Sequence, residues 1–392
     1  MIVSGAIVMV SALTEAISSN TVSASPVQTD IPFSLEANHI IVNVVVNGVP
    51  ARAIFDTGGR TVLTPELAQR LGLETSGNVR AAGAGGETVS ASFAQLKSLA
   101  LGPITLKDQP AVVIPLPRSI THATDRPVEM IVGYEIIRRF VTTFDYPKSV
   151  VRLVPTEGYR APSGAVAIPI SFEGTSPIVA GTIDGIPAKF VIDTGSGSSL
   201  TLHSPFVAAH HLQERFRTVG EMVVGRGVGG YVRGIVTRGG DLTLGSARIR
   251  SPLVLLSTDT GGAGASQTID GNVGSAILAS YAVTFDYERH NMYLTGPVGP
   301  EHPTSFSRTG MYAVRDDPNF YLVVDVLAKG PAASAGVKTG DHIVAIDGKP
   351  STRIDAVAWR AIVGGSPGTK HSLTLERDAT RREITLTLRD LI

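Results

Sequence analysis

Two stretches of the sequence decide the fold. The first is NGVPARAIFDTGG at residues 47–59, and the second is DGIPAKFVIDTGS at residues 184–196. They align without gaps at an offset of 193 − 56 = 137 residues. Each begins with an Asn-Gly or Asp-Gly turn, which favours a type I′ hairpin, and continues as an apolar strand that ends at Asp-Thr-Gly. The repetition predicts two copies of one β unit.

Further matches occur in the same order in both copies. They are GAGG (83–86) with GVGG (227–230), LALG (99–102) with LTLG (242–245), and Val-Gly followed by Phe-Asp-Tyr (132–146) with the same motifs at 273–287. The spacing of the last pair is equal, since 144 − 133 = 11 and 285 − 274 = 11. Ordered matches predict duplicated lobes at 30–156 and 163–298, separated by short linkers rich in Pro and Gly.

The composition favours a mainly β protein and excludes several function classes. Hydrophobic residues make up 43 % and charged residues 17 %, with 42 Gly and 24 Pro. Basic and acidic residues number 34 each, so no basic surplus indicates nucleic-acid binding. The absence of cysteine excludes disulfides, thiolate catalysis and cysteine zinc sites. The nine histidines suggest no metal site, and we expect no cofactor.

The N-terminus contains an apolar run, residues 2–13, which is too short to span a bilayer as a helix. Val22-Ser23-Ala24 has the small-x-small form of a signal-peptidase site. Residues 1–24 are therefore predicted to be a signal peptide of a periplasmic or exported protein. No Lys or Arg precedes the run, so a cytoplasmic protein is the alternative. No later stretch predicts a membrane span.

The Asp of each Asp-Thr-Gly carries the chemistry. A lone Asp-Thr-Gly is an ordinary turn, but Asp56 and Asp193 each end an apolar strand, where an ionisable group needs a partner. Each can be the other's partner across a pseudo-two-fold axis. Two adjacent carboxylates share a proton. One is then a base towards a bound water and the other an acid towards a peptide carbonyl.

The first 298 residues resemble the retropepsin-like branch of the pepsin superfamily, in a single-chain form with two lobes. The resemblance implies a bilobal acid-protease fold in which Asp56 and Asp193 are catalytic. It also implies supporting roles for the loop residues Thr57, Gly58, Thr194, Gly195 and Ser196. The segments 131–133 and 272–274 would pack beneath these loops, and residues 63–73 would form a short helix.

The two glycine tetrapeptides stand where such enzymes have flaps, hairpins that close over the substrate. Glycine permits a mobile tip, although tight hairpins would account for the same residues. The candidate flap residues are Gly85, Gly86, Gly229, Gly230 and Tyr231, the last predicted to line the cleft.

One difference between the copies predicts unequal carboxyl groups. The residue after Asp-Thr-Gly is Gly59 in the first copy and Ser196 in the second. A hydroxyl hydrogen bond from Ser196 to Asp193 would favour the ionised form of that carboxylate. Asp56 would then hold the shared proton.

Residues 305–392 resemble a PDZ domain of the bacterial protease type. The resemblance rests on VLAKGPAASAGVKTGDHIVAIDGKP at 326–350. It implies a small α+β module that binds an extended C-terminal peptide by adding it to a sheet edge. Gly310, Met311 and Tyr312 are the candidates for its peptide-binding loop, and a pure packing role is the alternative.

Together these features predict an aspartic endopeptidase whose active site is complete within one chain. Its partners would be a protein or peptide substrate and a C-terminal peptide ligand of the PDZ domain, which would recruit or gate substrates. The alternative is a non-catalytic peptide-binding adaptor that uses the same cleft and PDZ domain.

Overall fold

The structure is a computed structural model that describes residues 9–10, 28–122, 126–297 and 306–392. Strands contain 48 % of the residues and helices 13 %. The predicted mainly β class is confirmed. The domain limits drawn from the sequence remain predictions. Among the described residues, no helix is both long and apolar enough to cross a bilayer.

The first copy and the segment before it contain the strands β1 Met9–Val10, β2 Thr29–Pro32, β3 Ser34–Glu36, β4 His39–Val46, β5 Val49–Phe55, β6 Val62–Leu63, β7 Thr75–Ala82, β8 Thr88–Leu101, β9 Ile104–Val113, β10 Met130–Val132, β11 Val141–Asp145 and β12 Val150–Val154. The main sheet of the first copy, with β1 added at its edge, has the order β1-β7-β8-β9-β6-β10-β5-β4-β3. The helices of the first copy are α1 Pro65–Arg70, α2 Arg118–Thr121 and α3 Tyr134–Ile137. Strand β1 lies inside the predicted signal peptide, and the rest of residues 1–24 lies outside the described residues.

The strands of the second copy are β13 Val166–Glu173, β14 Ser176–Ile183, β15 Ile186–Asp193, β16 Leu200–Leu202, β17 Glu221–Gly227, β18 Gly230–Arg238, β19 Leu242–Leu244, β20 Ala247–Ile249, β21 Leu253–Ser257, β22 Gly271–Gly274, β23 Ala282–Asp286 and β24 Asn291–Thr295. The second copy repeats the arrangement of the first in the order β17-β18-β21-β16-β22-β15-β14-β13. Its helices are α4 Ser204–Ala209, α5 Leu212–Arg215 and α6 Ser275–Leu278, with a 3₁₀ turn at Ala263–Ala265.

The hairpins that present the Asp-Thr-Gly loops turn as the sequence predicts. Asn47 and Gly48 have φ values of 49° and 84°, and Asp184 and Gly185 have 51° and 77°. Two consecutive positive φ values define a type I′ turn, whose twist matches that of the flanking strands. Both returning strands are therefore held in register up to the aspartates.

A sheet of six strands joins the two lobes, in the order β2-β12-β11-β23-β24-β13. Its central strands β11 and β23 are antiparallel, with Thr143 opposite Thr284 and their hydroxyl oxygens 2.8 Å apart. Thr142 pairs with Phe285 as Phe144 pairs with Val283, so the register is symmetric about the threonine pair. The pseudo-two-fold axis passes through this pair.

One hydrophobic core runs through both lobes beneath this axis. Phe55, Phe144, Phe190 and Phe285 are fully buried. Ring centroids of Phe144 lie 5.4 Å from Phe55 and 5.9 Å from Phe285, in edge-to-face arrangements. Burial of each such side chain stabilises the fold by about 1.5–3 kcal/mol. The shared core fixes the two lobes to each other.

The C-terminal unit is a separate sheet with the main order β25-β26-β27-β29-β30. Its elements are β25 Met311–Val314, β26 Tyr321–Val326, α7 Pro331–Ser334, β27 His342–Ile346, β28 Lys349–Pro350, a 3₁₀ turn at Ser351–Arg353, α8 Ala356–Val363, β29 Lys370–Arg377 and β30 Thr380–Thr387. Asp355 caps α8 by accepting a hydrogen bond from the Ala358 amide. Tyr321 stacks on Trp359 at 4.4 Å, which attaches α8 to the sheet. Strand β25 is at the edge of this sheet.

Candidate active site

The two aspartates meet on the pseudo-two-fold axis. Asp56 directly follows β5, and Asp193 is the last residue of β15. Strand β10 runs parallel to β5 and strand β22 parallel to β15, and the Asp56 amide donates to the Val132 carbonyl at 2.9 Å. Asp56 is 1 % exposed and Asp193 is fully buried, and their carboxyl groups are within hydrogen-bonding reach of each other. The structure thus brings together the two residues that the sequence singles out.

Four reciprocal hydrogen bonds lock the two loops together through Thr57 and Thr194. The amide of Thr57 donates to Oγ1 of Thr194 at 3.1 Å, and the amide of Thr194 donates to Oγ1 of Thr57 at 3.0 Å. Each hydroxyl donates in turn to a carbonyl of the other lobe, Thr57 to Ile192 at 2.7 Å and Thr194 to Phe55 at 2.9 Å. All these groups are buried, so both loops are held against each other without exposed polar atoms.

Glycine follows each threonine because the opposite carboxyl group needs the space. A Cβ atom at Gly195 would lie 2.2 Å from Cγ of Asp56, and one at Gly58 would lie 2.6 Å from Cγ of Asp193. These distances are far below van der Waals contact. Any side chain at either position would push the two carboxyl groups apart.

The two carboxyl groups have different hydrogen-bond donors. Asp56 Oδ1 accepts from the Gly58 amide at 2.7 Å, and its Oδ2 has no hydrogen-bond donor among the described residues. Asp193 Oδ1 accepts from the Ser196 amide at 2.9 Å, and its Oδ2 accepts from Nδ2 of Asn272 at 2.7 Å. The charged form of Asp193 is therefore better stabilised than that of Asp56.

The pKa directions follow from these contacts. Burial, followed by the charge of Asp193, raises the pKa of Asp56 well above its ordinary value. Burial also raises the pKa of Asp193, but the Asn272 hydrogen bond opposes this increase. The hydrogen-bond donors of the two sites thus favour the charged form of Asp193 over that of Asp56.

The prediction of a hydrogen bond from the Ser196 hydroxyl to Asp193 is wrong. Ser196 Oγ lies 2.7 Å from Oγ of Ser198, and only the backbone amide of Ser196 bonds to Asp193. The sequence prediction missed Asn272, which provides the side-chain donor instead. The signal was present, because Asn272 occupies the position that Ile131 has in the first copy.

Tyr146 supports the loops from below, and its role was also missed. Its hydroxyl lies 3.0 Å from Oγ of Ser275, which donates to the Thr194 carbonyl at 2.9 Å. Tyr146 belongs to the first lobe and Ser275 to the second. The repeated Phe-Asp-Tyr motif thus connects the interlobe sheet to the loop that carries Asp193.

The glycine tetrapeptides form the tips of two hairpins, which we call the first flap (β7–β8) and the second flap (β17–β18). The tips touch, since the Gly85 amide donates to the Val228 carbonyl and the Glu87 amide to the Gly229 carbonyl, both at 2.9 Å. A Cβ atom at Gly85 would lie 2.2 Å from the carbonyl carbon of Gly229. A Cβ atom at Gly86 would lie no closer than 3.9 Å to any other residue. Glycine is therefore required at Gly85 and not at Gly86.

Tyr231 does not join the tip contacts and instead packs against the C-terminal unit. Its ring centroid lies 6.2 Å from that of Tyr312, and the guanidinium of Arg226 covers it at 5.1 Å. Arg226 and Tyr231 are cross-strand partners, so they share one face of the hairpin. That face is turned towards the C-terminal unit, and the prediction that Tyr231 lines the cleft is wrong.

The three candidate peptide-binding residues of the C-terminal unit divide in a similar way. Gly310 has φ 66°, and its carbonyl accepts from the Leu327 amide at 2.8 Å. Met311 contributes to the core of the unit, next to Trp359. Tyr312 points to the opposite face, where it meets Tyr231. Within the described ranges, no group of His, Asp or Glu side chains could hold a metal ion.

Comparison with known proteins agrees with these observations. Residues 42–136 match the aspartyl protease family model, and residues 312–388 match the PDZ domain model. The predicted resemblance to retropepsin-like aspartyl proteases and PDZ domains is confirmed. The chain is also similar to a protein of Pseudomonas fulva described as a probable periplasmic serine endoprotease, DegP-like, with 39 % identity over 70 residues. That match covers 18 % of this chain and 14 % of the relative.

Two solved structures, both described as aspartic proteases, are similar to parts of the chain. An aspartic proteinase from Irpex lacteus has a TM-score of 0.44 at 12 % identity, covering 69 % of this chain and 97 % of that protein. A retropepsin-like aspartic protease from Rickettsia conorii has a TM-score of 0.23 at 21 % identity. That match covers 34 % of this chain and 93 % of the Rickettsia protein.

Proposed function

We propose that the protein is an aspartic endopeptidase that hydrolyses peptide bonds with a water molecule held between Asp56 and Asp193. The observation that carries the proposal is the pair of buried carboxyl groups that interact with each other, with a side-chain donor from a third residue on only one of them. Such a pair retains a proton under conditions where isolated aspartates are ionised. An acid and a base are then available side by side at one site.

The difference in hydrogen-bond donors assigns the base to Asp193 and the acid to Asp56. Asp193, as the anion, takes a proton from the water while the water oxygen bonds to the peptide carbonyl carbon. Asp56 gives its proton to the carbonyl oxygen. When the carbon–nitrogen bond breaks, the proton on Asp193 passes to the leaving nitrogen, and the proton on the oxygen returns to Asp56. Atoms and charges balance without a covalent intermediate.

Substrate access requires the flaps to separate. Both carboxyl groups are at most 1 % exposed in the state with touching tips. A peptide therefore enters as an extended segment after the tip hydrogen bonds break, and closure of the flaps excludes water from the reaction.

The PDZ domain and the cellular location complete the proposal. The PDZ domain recruits or gates peptide substrates, since domains of this kind bind extended peptides at a sheet edge. The similarity to a relative described as periplasmic, together with the predicted signal peptide at residues 1–24, supports an exported enzyme.

The test is cleavage of an unfolded protein, such as reduced and carboxymethylated casein, by the unmodified chain and by Asp56→Asn and Asp193→Asn. We expect internal cuts, mapped by mass spectrometry, from the unmodified chain alone. Cuts that persist in both variants would contradict the mechanism. Binding of the substrate without any cut would favour the adaptor.

The contacts of Gly59 do not favour the adaptor. The Gly59 carbonyl accepts a hydrogen bond from the Tyr134 amide at 3.0 Å, and the loop hydrogen bond to Asp56 comes from the Gly58 amide.

A further inference from the structure

The second flap is attached to the PDZ domain by charged contacts along β17 and β18. The Val223 amide donates to Oδ2 of Asp325 at 2.8 Å, and Arg233 forms an ion pair with the same oxygen at 3.1 Å. Arg226 pairs with Asp316 at 2.5 Å. Asp325 thus receives both a backbone and a side-chain donor from the flap. A flap strand is held by a side chain that belongs to another domain.

Apolar side chains fill the space between these contacts. Alternate residues of β25 and β26 face the core of the PDZ domain, and those in between face the flap. One buried cluster contains Met222, Val224 and Val232 of the second flap together with Tyr312, Val314 and Leu327 of the PDZ domain. This is an apolar interface with a polar rim, the usual anatomy of a specific contact.

The same flap strand closes the groove between β25 and α8. Edge strands next to a helix are where a PDZ domain adds a peptide as an extra strand. The groove is lined by Phe306, Met311, Trp359 and Val363 of the PDZ domain and by Val223 and Val224 of the second flap. Its free volume is about 10 Å³, which is room for one water molecule at most. A peptide can occupy this groove only if the flap strand moves.

The other end of the second flap is the tip that contacts the first flap. This tip is hydrogen-bonded to the first flap through Val228 and Gly229. The strands between tip and PDZ domain form one continuous hairpin, with a single register shift between Val223 and Gly225. A displacement of β17 at the PDZ domain therefore also displaces the tip of the second flap.

We propose that the PDZ domain clamps the second flap in its closed position, and that an extended peptide with an apolar C-terminal residue releases it by taking the groove. The lining of the groove selects the apolar residue, since it contains no charged side chain and consists mainly of aliphatic and aromatic ones. The competition between flap and peptide stands on the contacts alone. Its consequence for catalysis rests on the proposed function.

Thermodynamic linkage predicts how the clamp changes peptide affinity and how the peptide changes the flap. A peptide that binds only the released state has an apparent Kd equal to its intrinsic Kd divided by the released fraction. Weakening the clamp raises this fraction, so the peptide binds more tightly. By reciprocity, saturating peptide raises the released population of the flap.

The test uses the full chain with Asp56→Asn and Asp193→Asn, so that no peptide is cut. Fluorescent decapeptides that end in Leu, Val, Ile or Phe are titrated by polarisation, with Asp-ended peptides as the comparison. The clamp is weakened by Asp325→Arg, which opposes Arg233 and removes the acceptor of the Val223 amide. The matched control is Glu376→Ala, which removes an ion pair with Arg381 at 2.9 Å on another strand of the PDZ sheet.

We expect apolar-ended peptides to bind Asp325→Arg at least about fivefold more tightly than the unmodified clamp, the lower end of ordinary coupling. Glu376→Ala should leave the affinity unchanged. Arg226→Asp should also tighten binding, and Arg226→Asp with Asp316→Arg should restore the original affinity, which guards against a misfolded single variant. Equal affinities across all variants, or no preference over Asp-ended peptides, would overturn the proposal.

Hydrogen exchange gives a second readout that needs no catalysis. Saturating peptide should speed the exchange of amides in residues 221–238, including the Val223 amide that Asp325 holds, and protection there that does not change would contradict the release. In the active chain the same peptide should raise kcat/KM on casein. Release without any casein cleavage would refute the proposed function alone, whereas cleavage without release would refute the clamp alone.

Discussion

Removal of the Asn272 amide should make Asp193 harder to ionise. The amide donates to Oδ2 of Asp193 at 2.7 Å and so stabilises the charged form. A hydrogen bond to a charged acceptor contributes about 1.5–3 kcal/mol, and each pH unit corresponds to about 1.36 kcal/mol. In Asn272→Ala, the acid limb of the kcat/KM profile should therefore move to higher pH by about one to two units.

Asn272→Ala removes a single side-chain hydrogen bond among the described residues. The other amide atom, Oδ1 of Asn272, is buried without a hydrogen-bond partner within the described residues, so its removal leaves no donor unpaired. The assay is the pH dependence of kcat/KM on a fluorogenic peptide, supported by ¹³C NMR titration of the labelled aspartate carboxyl groups. The NMR titration reports the pKa change even if the variant is slow.

Ser196→Ala is the matched control for this experiment. Its hydroxyl bonds to Ser198, and its amide, which bonds to Asp193, survives the substitution. The acid limb should stay where it is. The reasoning would be refuted if Asn272→Ala left the acid limb in place, or if Ser196→Ala moved it as far.

Three other substitutions test the loops, the flaps and the shared proton. Thr57→Ala leaves the buried Thr194 amide without its acceptor, so guanidinium denaturation should show a free energy of unfolding lower by about 2–3 kcal/mol. Thr143→Ala removes a single interlobe hydrogen bond and is the control; an equal or larger loss in this control would contradict the role of Thr57 in joining the two loops. Gly85→Ala places a Cβ 2.2 Å from the carbonyl carbon of Gly229 and should lower kcat/KM at least about tenfold. The Cβ of Gly86→Ala makes only ordinary contacts, from 3.9 Å, and should not lower kcat/KM; equal effects would refute tip closure as a requirement. The raised pKa of Asp56 means that the native state holds a proton that the unfolded chain releases above about pH 4, so native stability falls as pH rises through that range. Asp56→Asn should thus melt at a higher temperature than the unmodified chain at neutral pH and lose this advantage below about pH 4; a lower melting temperature at neutral pH would count against a buried, shared proton.

The fold and the juxtaposition of Asp56 and Asp193 were predictable because their signals are local and duplicated. Asp56 and Asp193 each follow an apolar strand after a turn dipeptide, and the fixed offset between the copies shows that they are equivalent. Symmetry then dictates that the two loops meet on one axis. The threonine interlock follows from the same symmetry, since each hydroxyl finds the same groups in the opposite lobe.

The features that the sequence prediction missed depend on contacts between distant segments. Asn272 reaches Asp193 only because β22 pairs in parallel with β15 in one register, with Gly274 opposite Asp193. Tyr231 was misplaced because its face of the hairpin is determined by the docking of the PDZ domain, which no local pattern encodes. The Ser196 hydroxyl bonds to the Ser198 hydroxyl, and sequence alone could not choose Ser198 over Asp193 as its partner.

The most direct test of the central claim is a double-variant measurement on the catalytic pair. If Asp56 and Asp193 act as one unit, either Asn substitution removes the acid–base pair, and the second can remove nothing more. We predict that kcat/KM on an unfolded protein falls at least about a thousandfold in Asp56→Asn and in Asp193→Asn. The double variant should be no slower than the slower of the two. Losses that simply multiply in the double variant would show two independent groups and would contradict the shared-proton dyad.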